Sequence, residues 1–269
     1  MNSELHIGQW IDLELASGRH AFSLEMLRSH FSSLSDEAIK RSLSRLSEKG
    51  AIVSVHKGYY VIVSPEYRHL GLPPVENWID GLMSYLKRSY YLGLLSAASI
   101  HGATHQRAQV SYVITGLPAI REKVIKGHHI RFMGKHSVAE NLCIQKNTTT
   151  GLVSYSGWVL TAADLIQFER RIGGLDRVAG MLREMAEELN DRPINWQGCS
   201  DISMSLLQRL GYILDEVLEQ GQLAAGLLEI IQSDSRKMFP VRLKSHGSKG
   251  NAEVNQKWKV LVNHTFEIE

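Results

Sequence analysis

Apolar and polar positions alternate with mainly helical spacing over the first 50 residues. Residues 4–17 form one such stretch, and Gly18 follows as a helix stop. Ser23 and Ser35 each precede a further apolar stripe, where a serine oxygen can cap the first free N–H groups of a helix. The stripes are Leu24, Leu27 and Phe31, and then Ala38, Ile39, Leu43 and Leu46. This pattern predicts three helices, the last ended by Gly50.

Two β-branched runs follow, 51–55 and 59–63, joined by His56-Lys57-Gly58. Such runs around a short glycine-containing turn predict a β-hairpin. Helix, turn, basic helix and hairpin is the order of a winged helix-turn-helix. We therefore expect residues 1–67 to form a DNA-binding domain of this class.

Prolines and glycines between Ser64 and Val75 predict a linker, so that residues 68–269 would form a second, larger domain. Helical spacing then runs through 78–86, 90–102, 162–189, 203–218 and 223–232, and short β-branched runs occupy 110–114, 129–133, 142–145, 152–155 and 258–262. Strands and helices do not alternate strictly. The pattern predicts an α+β domain with a mixed sheet and helices.

The composition excludes several classes of protein. No window of the 269 residues approaches the roughly 20 uninterrupted apolar residues of a membrane span. No basic segment followed by an apolar run opens the chain, so we expect no secretory signal and a cytoplasmic protein. The only cysteines, Cys143 and Cys199, are far apart, which argues against a disulfide framework and a cysteine-rich zinc site.

The net charge of +2 is divided into blocks. Residues 39–60 hold five basic residues and one acidic residue, and 68–155 hold ten basic and four acidic, whereas 156–240 hold eight basic and thirteen acidic. Two positive surfaces favour two contacts with polyanions, or one such contact and one contact with an acidic partner. The alternative is a charged, solvated surface that binds no partner. The candidate DNA contacts are Lys40, Arg41, Ser44, Arg45 and Lys49 of the basic helix, and His56 and Lys57 of the hairpin tip.

A second basic set lies between residues 87 and 135. It comprises Lys87, Arg88, Arg107, Arg121, Lys123, Lys126, Arg131 and Lys135. These side chains could contact a protein partner, a nucleic acid associated with that partner, or DNA; the alternative is a solvated surface.

Residues 90–106, Tyr-Tyr-Leu-Gly-Leu-Leu-Ser-Ala-Ala-Ser-Ile-His-Gly-Ala-Thr-His-Gln, closely resemble the signature of AbiEi-type antitoxins. Further matches are Pro65-Glu66-Tyr67 before Gly71-Leu72-Pro73-Pro74, Gly173-Gly174-Leu175-Asp176, Gln208-Arg209-Leu210-Gly211-Tyr212, and Trp258-Lys259-Val260-Leu261-Val262-Asn263. The resemblance covers roughly residues 40–269. The chain departs from the family before Thr161, where Gly157-Trp158-Val159-Leu160 replaces an expected Pro-Glu turn.

The resemblance implies a transcriptional autorepressor and antitoxin of a type IV toxin-antitoxin, phage-abortive-infection system. Its winged helix-turn-helix would bind operator DNA at inverted repeats. Its C-terminal domain would counteract a cognate nucleotidyltransferase toxin, directly or indirectly, with the second basic set as the candidate surface for the toxin or for its nucleic-acid substrate. The domain would also assist cooperative DNA binding by a protein that is monomeric in solution.

Two rival functions stay open from the residues alone. One is a ligand-responsive regulator with a small-molecule-sensing C-terminal domain, and the other is a DNA-binding nuclease. His101 and His105 have zinc-ligand spacing but no third ligand, and no Glu-x-Lys occurs on a predicted strand. The stretch from Tyr90 to Ala98 fits close core packing better than a ligand pocket. The sequence predicts no catalytic residue, no metal site and no cofactor.

Overall fold

The computed structural model describes residues 6–103, 110–190, 192–248 and 252–267. The chain folds into two compact units that are interleaved in sequence. The first comprises residues 1–91, 109–138 and 145–154, and the second comprises 92–108, 139–144 and 155–269.

The N-terminal segment contains the predicted helices and hairpin. Its elements are α1 (Ile7–Ala16), β1 (Ala21–Ser23), α2 (Leu24–His30), α3 (Asp36–Glu48), β2 (Ile52–His56) and β3 (Tyr59–Ile62). Both predicted caps are confirmed, because Ser23 Oγ accepts from Met26 N and Ser35 Oγ accepts from Ala38 N. Strand β1, which the apolar pattern did not predict, extends the hairpin to an antiparallel sheet of order β1-β3-β2.

A small hydrophobic core holds these elements together. Trp10 of α1 meets the rings of Phe22 and Phe31 edge-on, at centroid distances of 5.4 and 6.1 Å. Ile39 and Leu43 present the apolar stripe of α3 to the same cluster. Burial of this stripe leaves the opposite face of α3 to solvent.

The remaining elements follow short 3-10 turns at Pro65–Tyr67 and Val75–Asn77. They are α4 (Ile79–Tyr85), β4 (Tyr90–Leu92), α5 (Leu95–Ala98), β5 (Val110–Gly116), β6 (Lys123–Ile125), β7 (His128–Lys135), β8 (Cys143–Thr148), β9 (Gly151–Ser156), α6 (Trp158–Gln167), α7 (Glu169–Ile172), α8 (Leu175–Glu187), α9 (Met204–Tyr212), α10 (Gly221–Ser233), β10 (Val241–Arg242), β11 (Val254–Asn255) and β12 (Val260–Leu261). A π-helical turn, Ile213–Val217, extends α9.

Within the described residues, the larger sheet has six strands in the order β6-β7-β5-β4-β9-β8. Strands β5 and β7 are parallel from Val110↔His129 to Gly116↔Lys135, whereas β6 and β7 are antiparallel. Strands β4 and β9 are parallel. The expectation of an α+β fold with a mixed sheet and helices is therefore confirmed.

The expectation of a continuous helix over 90–102 is wrong. Tyr90–Leu92 form strand β4, Leu95–Ala98 form only a short helix, and a 3-10 turn follows at 99–101. Leu94 has φ of +51°, which a right-handed helix cannot contain. The apolar residues are buried all the same, so the interpretation of this stretch as core rather than a ligand pocket fits the structure.

The helical region after β9 begins earlier than its periodicity predicted. Helix α6 starts at Trp158, within the segment where the chain departs from the family pattern, and Gly157 stands at its N-cap. Its residues from Trp158 to Ile166 are buried on every side, so no polar face marks its start. No helix in the described ranges is both long and apolar enough to cross a membrane.

Candidate functional site

The exposed face of α3 carries the basic residues that the sequence singled out. Ser35 caps the helix, and Asp36 and Glu37 lie in its first turn. All of the candidate contacts on this helix are exposed to solvent: Lys40, Arg41, Ser44, Arg45 and Lys49. The Ser44 hydroxyl donates to Glu48 Oε1 at 3.0 Å. An exposed helix of this kind can present cationic donors to a polyanion.

The hairpin tip is a tight turn beside α4. Lys57 is exposed, and Gly58 has φ of +75°, a conformation that favours glycine. The Tyr85 hydroxyl donates to Lys57 O at 3.4 Å, and a Cβ at Gly58 would lie 2.9 Å from the same hydroxyl oxygen. The tip is thus held against the C-terminal end of α4.

His56 is partly buried, and its Nδ1 has no hydrogen-bond partner among the described residues. Burial lowers the pKa of His56, and the charge of Lys123 lowers it further. Burial also lowers the pKa of Lys123. The structure therefore brings Lys123 of β6, from the second basic set, close to the hairpin tip.

Three described members of the second basic set have hydrogen bonds within the first unit. Arg88 Nη1 donates to Gly116 O at 3.4 Å, and Lys135 Nζ donates to the Tyr91 hydroxyl at 3.3 Å. Arg131 Nε donates to Glu122 Oε1 at 3.1 Å, and this hydrogen bond raises the pKa of Arg131. These internal contacts mean that charge alone does not assign the three residues to a binding surface.

Among the described members of the second set, three are exposed: Lys87, Arg121 and Lys126. The stem of Lys126 packs at Gly71, where an added Cβ would lie 3.3 Å from it. Lys126 has φ of +50° and Gly127 has φ of +83°, the conformation of a two-residue hairpin turn between β6 and β7. Arg107 lies outside the described residues.

The first signature segment packs inside the protein. The Tyr90 hydroxyl donates to Asp80 Oδ1 at 3.2 Å, and Tyr91 is fully buried. His101 Nε2 lies 2.9 Å from Ser156 O, a backbone contact that needs no metal ion. His105 lies outside the described residues, and no group of three metal-ligating side chains occurs within them.

The two C-terminal signature segments hold α9 to the small sheet of order β10-β12-β11. Gln208 Nε2 donates to Phe239 O at 2.9 Å and to Trp258 O at 2.8 Å. Gly211 faces the Trp258 ring so closely that a Cβ would overlap it. The Trp258 indole donates to Asp215 Oδ2 at 2.8 Å. No role for these motifs followed from the sequence, and their contacts show that they join α9 to the C-terminal strands.

The Gly173-Gly174 segment turns the chain between α7 and α8. Both glycines have positive φ, at 111° and 95°. Asp176, in the first turn of α8, lies 3.1 Å from His264 Nε2 and accepts from Glu267 N at 3.0 Å. These contacts lower the pKa of Asp176, although burial opposes them. The motif therefore fixes the C-terminal tail to α8.

Known proteins resemble this chain in sequence over one segment and in fold over most of its length. Residues 91–216 match the model of the AbiEi antitoxin C-terminal domain. The fold is similar to that of the crystal structure of the RV2827C protein from Mycobacterium tuberculosis, with a TM-score of 0.59 and 14% sequence identity over 94% of this chain and 89% of that chain. No curated protein matches the chain. Residues 91–216 therefore contain a domain that is similar to the C-terminal domain of the AbiEi antitoxins.

Proposed function

We propose that this protein is an AbiEi-type antitoxin and also a DNA-binding repressor of its own operon. Residues 1–67 would act as a winged helix-turn-helix, with α3 in the major groove and the hairpin tip on phosphates. The exposed basic face of α3, opposite its buried stripe, is the observation that carries this proposal. Arginine at such a position can donate two hydrogen bonds to guanine.

The antitoxin activity would counteract a nucleotidyltransferase encoded in the same operon. The AbiEi domain supports a toxin as partner. The exposed cations Lys87 and Arg121 are our candidates for its contact, because the other described members of the second set have internal contacts or lie beside the hairpin. We propose that the protein acts in the cytoplasm, in phage defence, by binding rather than by catalysis.

The experiment measures both activities of the full-length chain in one strain. A reporter gene behind the native promoter reads repression, and growth reads protection when the toxin is expressed from an unrelated promoter. We expect Arg41→Ala with Arg45→Ala to relieve repression while protection persists. The control, Arg177→Ala with Lys237→Ala, removes the same charge from exposed sites in the second unit and should change neither readout. Repression that survives the α3 substitutions would contradict the proposed role of this helix.

A further inference from the structure

A pocket of about 350 Å³ lies in the second unit, between the C-terminal end of α8, the segment that follows it and the first turns of α10. Its volume is within the range of small-molecule sites. No residue of either basic set lines it, so the pocket is separate from the surfaces proposed to bind DNA and the toxin. Its apolar walls are formed by Ala186, Leu189, Ile194 and Leu223.

The wall of the pocket contains a buried indole whose N–H makes no hydrogen bond. Trp196 is only 9% exposed, and its ring meets Trp158 edge-on at a centroid distance of 6.2 Å. Trp158 Nε1 donates to Met185 O at 3.1 Å, whereas Trp196 Nε1 donates to no acceptor in the described part of the chain. An indole N–H can only donate, so it requires an acceptor from outside the protein.

Gly226 of α10 keeps this N–H open to the pocket. A Cβ built at Gly226 would lie 2.9 Å from Trp196 Nε1, and both residues line the pocket. The N–H therefore faces space that any larger residue at this position would fill. Trp196 Nε1 is not among the fully enclosed polar atoms that lack a partner, so solvent reaches it. An oxygen atom of a ligand can approach it from the pocket.

The first turn of α10 supplies further free donors. No side chain caps this helix, and its first turn contains no acidic residue. Its first backbone hydrogen bond runs from Ala224 N to Gln220 O at 3.0 Å. The preceding N–H groups of Gln222 and Leu223 are therefore outside the helical ladder, and both residues line the pocket. The positive end of the helix dipole favours an anion there.

Arg192 is the one charged side chain among the described residues that line the pocket. Its Nε donates to Leu189 O and its Nη2 to Glu188 O, each at 3.0 Å, and these bonds fix the guanidinium at the end of α8. Its Nη1 has no acceptor in the described ranges. Glu188 is exposed and does not line the pocket. The described lining therefore combines a positive charge with free donors, which favours an anionic ligand.

We propose that this pocket binds a small carboxylic acid with an apolar body. The carboxylate would accept from the Trp196 indole and be stabilised by the charge of Arg192 and the dipole of α10, while the apolar body would pack on Leu189 and Ile194. The apolar walls favour such a molecule over inorganic phosphate, because they cannot replace the hydration of a dianion. The inference is independent of the proposed function, since it uses none of the residues assigned to DNA or to the toxin.

Isothermal titration of the full-length protein with 4-phenylbutyrate, 4-phenylbutanol and butyrate tests the proposal. We expect 4-phenylbutyrate to bind at least about tenfold more tightly than the other two, a difference of about 1.4 kcal/mol, because only this probe has both a carboxylate and a large apolar body. Its binding should also shift the indole ¹H–¹⁵N signal of Trp196, which the variant Trp196→Phe assigns. Absence of binding, equal affinity for the alcohol, or an unmoved Trp196 signal would overturn the proposal.

Two variants locate the binding. Gly226→Ala should weaken the binding of 4-phenylbutyrate at least about tenfold, because the added methyl group blocks the Trp196 N–H. Gly180→Ala, at a helical glycine where a Cβ meets nothing within 4 Å, should leave the affinity unchanged. Arg192→Gln should weaken the binding of the acid, whereas Arg177→Gln, at an exposed position of α8, should not. Unchanged affinity in Arg192→Gln would overturn the assignment even if Gly226→Ala fails to fold.

Discussion

At the scale of single residues, the contact between Gly211 and the Trp258 ring joins α9 to the C-terminal strands. We predict that Gly211→Ala destabilises the protein by about 1–3 kcal/mol, because an added methyl group must displace a fully buried ring. A lowered midpoint of thermal unfolding would measure this effect.

Gly180 provides the matched control. It lies within α8, and a Cβ built there meets nothing within 4 Å. Gly180→Ala should therefore stabilise the protein by up to about 1 kcal/mol through helix propensity. Equal midpoints for the two variants would contradict the close packing of Gly211 on Trp258.

The position of Lys123 predicts a measurable titration shift at His56. Because Lys123 lowers the pKa of His56 and burial lowers it more, Lys123→Gln should raise that pKa while leaving it below the usual value of about 6.5. Histidine NMR titration measures this shift, with His20, whose pKa is lowered by burial but not by Lys123, as the internal control. An unchanged His56 pKa would contradict the proximity of β6 to the hairpin tip.

The lowered pKa values of His20 and His56 also make the contribution of these residues to the stability of the fold depend on pH. Their folded-state pKa values are lower than the unfolded value, so the unfolded chain binds more protons below about pH 6.5. Their contribution to stability is present above that pH and is lost as the pH falls through the folded-state values.

Some residue roles could be predicted from sequence and others could not. The caps Ser23 and Ser35 act on backbone groups three residues away, so a local pattern contains the whole signal. Gln208 and Arg209 bond to carbonyl groups 31 to 50 residues away, and Glu169 meets Ser245 across 76 residues. No local pattern specifies such partners, and for this reason these contacts could not be predicted from the sequence.

At the scale of elements, α3 and the hairpin should contribute differently to DNA binding. We predict that Arg41→Ala with Arg45→Ala weakens operator binding by at least about thirtyfold relative to scrambled DNA, since a guanine contact is worth about 1–3 kcal/mol. His56→Ala with Lys57→Ala should weaken both DNAs alike. Fluorescence anisotropy over a series of salt concentrations measures both effects.

The salt dependence separates the two elements further. Loss of the Lys57 phosphate contact should flatten the slope of log affinity against log salt by about 0.9. The lowered pKa of His56 leaves that side chain mostly neutral near pH 7.5, so it should add little to the slope. A sequence-selective loss in the hairpin variant would instead assign base contacts to the tip.

Element types followed from the sequence where one face of the element is exposed. Helix α3 has a buried stripe and a basic face, and its bounds were predicted closely. Strand β4 is buried on both faces, so its residues are all apolar. Without an alternation of apolar and polar residues, the sequence does not distinguish a strand from a helix there. Strand β6 is only three residues long and carries too little pattern to be predicted.

At the scale of the whole molecule, repression and toxin protection should be separable by substitution. We predict that Lys87→Asp with Arg121→Glu weakens protection against the toxin while repression persists, because both residues are exposed and charge reversal turns attraction into repulsion. Aspartate is chosen at residue 87 because its φ of +54° suits a short polar side chain. Full protection by this variant would exclude these cations as the toxin contact.

The division of the chain into units was beyond sequence analysis. The expected boundary between residues 67 and 68 stays a prediction, and the compact units take residues 109–138 and 145–154 into the same body as the N-terminal segment. A linker composition marks a local break in regular structure, whereas contacts across long sequence separations determine which segments fold together. Variants of the full-length chain are therefore better probes than truncation at residue 68.

The most direct test of the proposed repressor function is the affinity of the full-length protein for its own promoter, compared with scrambled DNA of equal length and at equal salt. A repressor that recognises base sequence should bind the promoter at least about a thousandfold more tightly. Equal affinity for the two DNAs, with the same salt dependence, would show that the basic surface binds phosphate without recognising an operator, and would contradict autorepression.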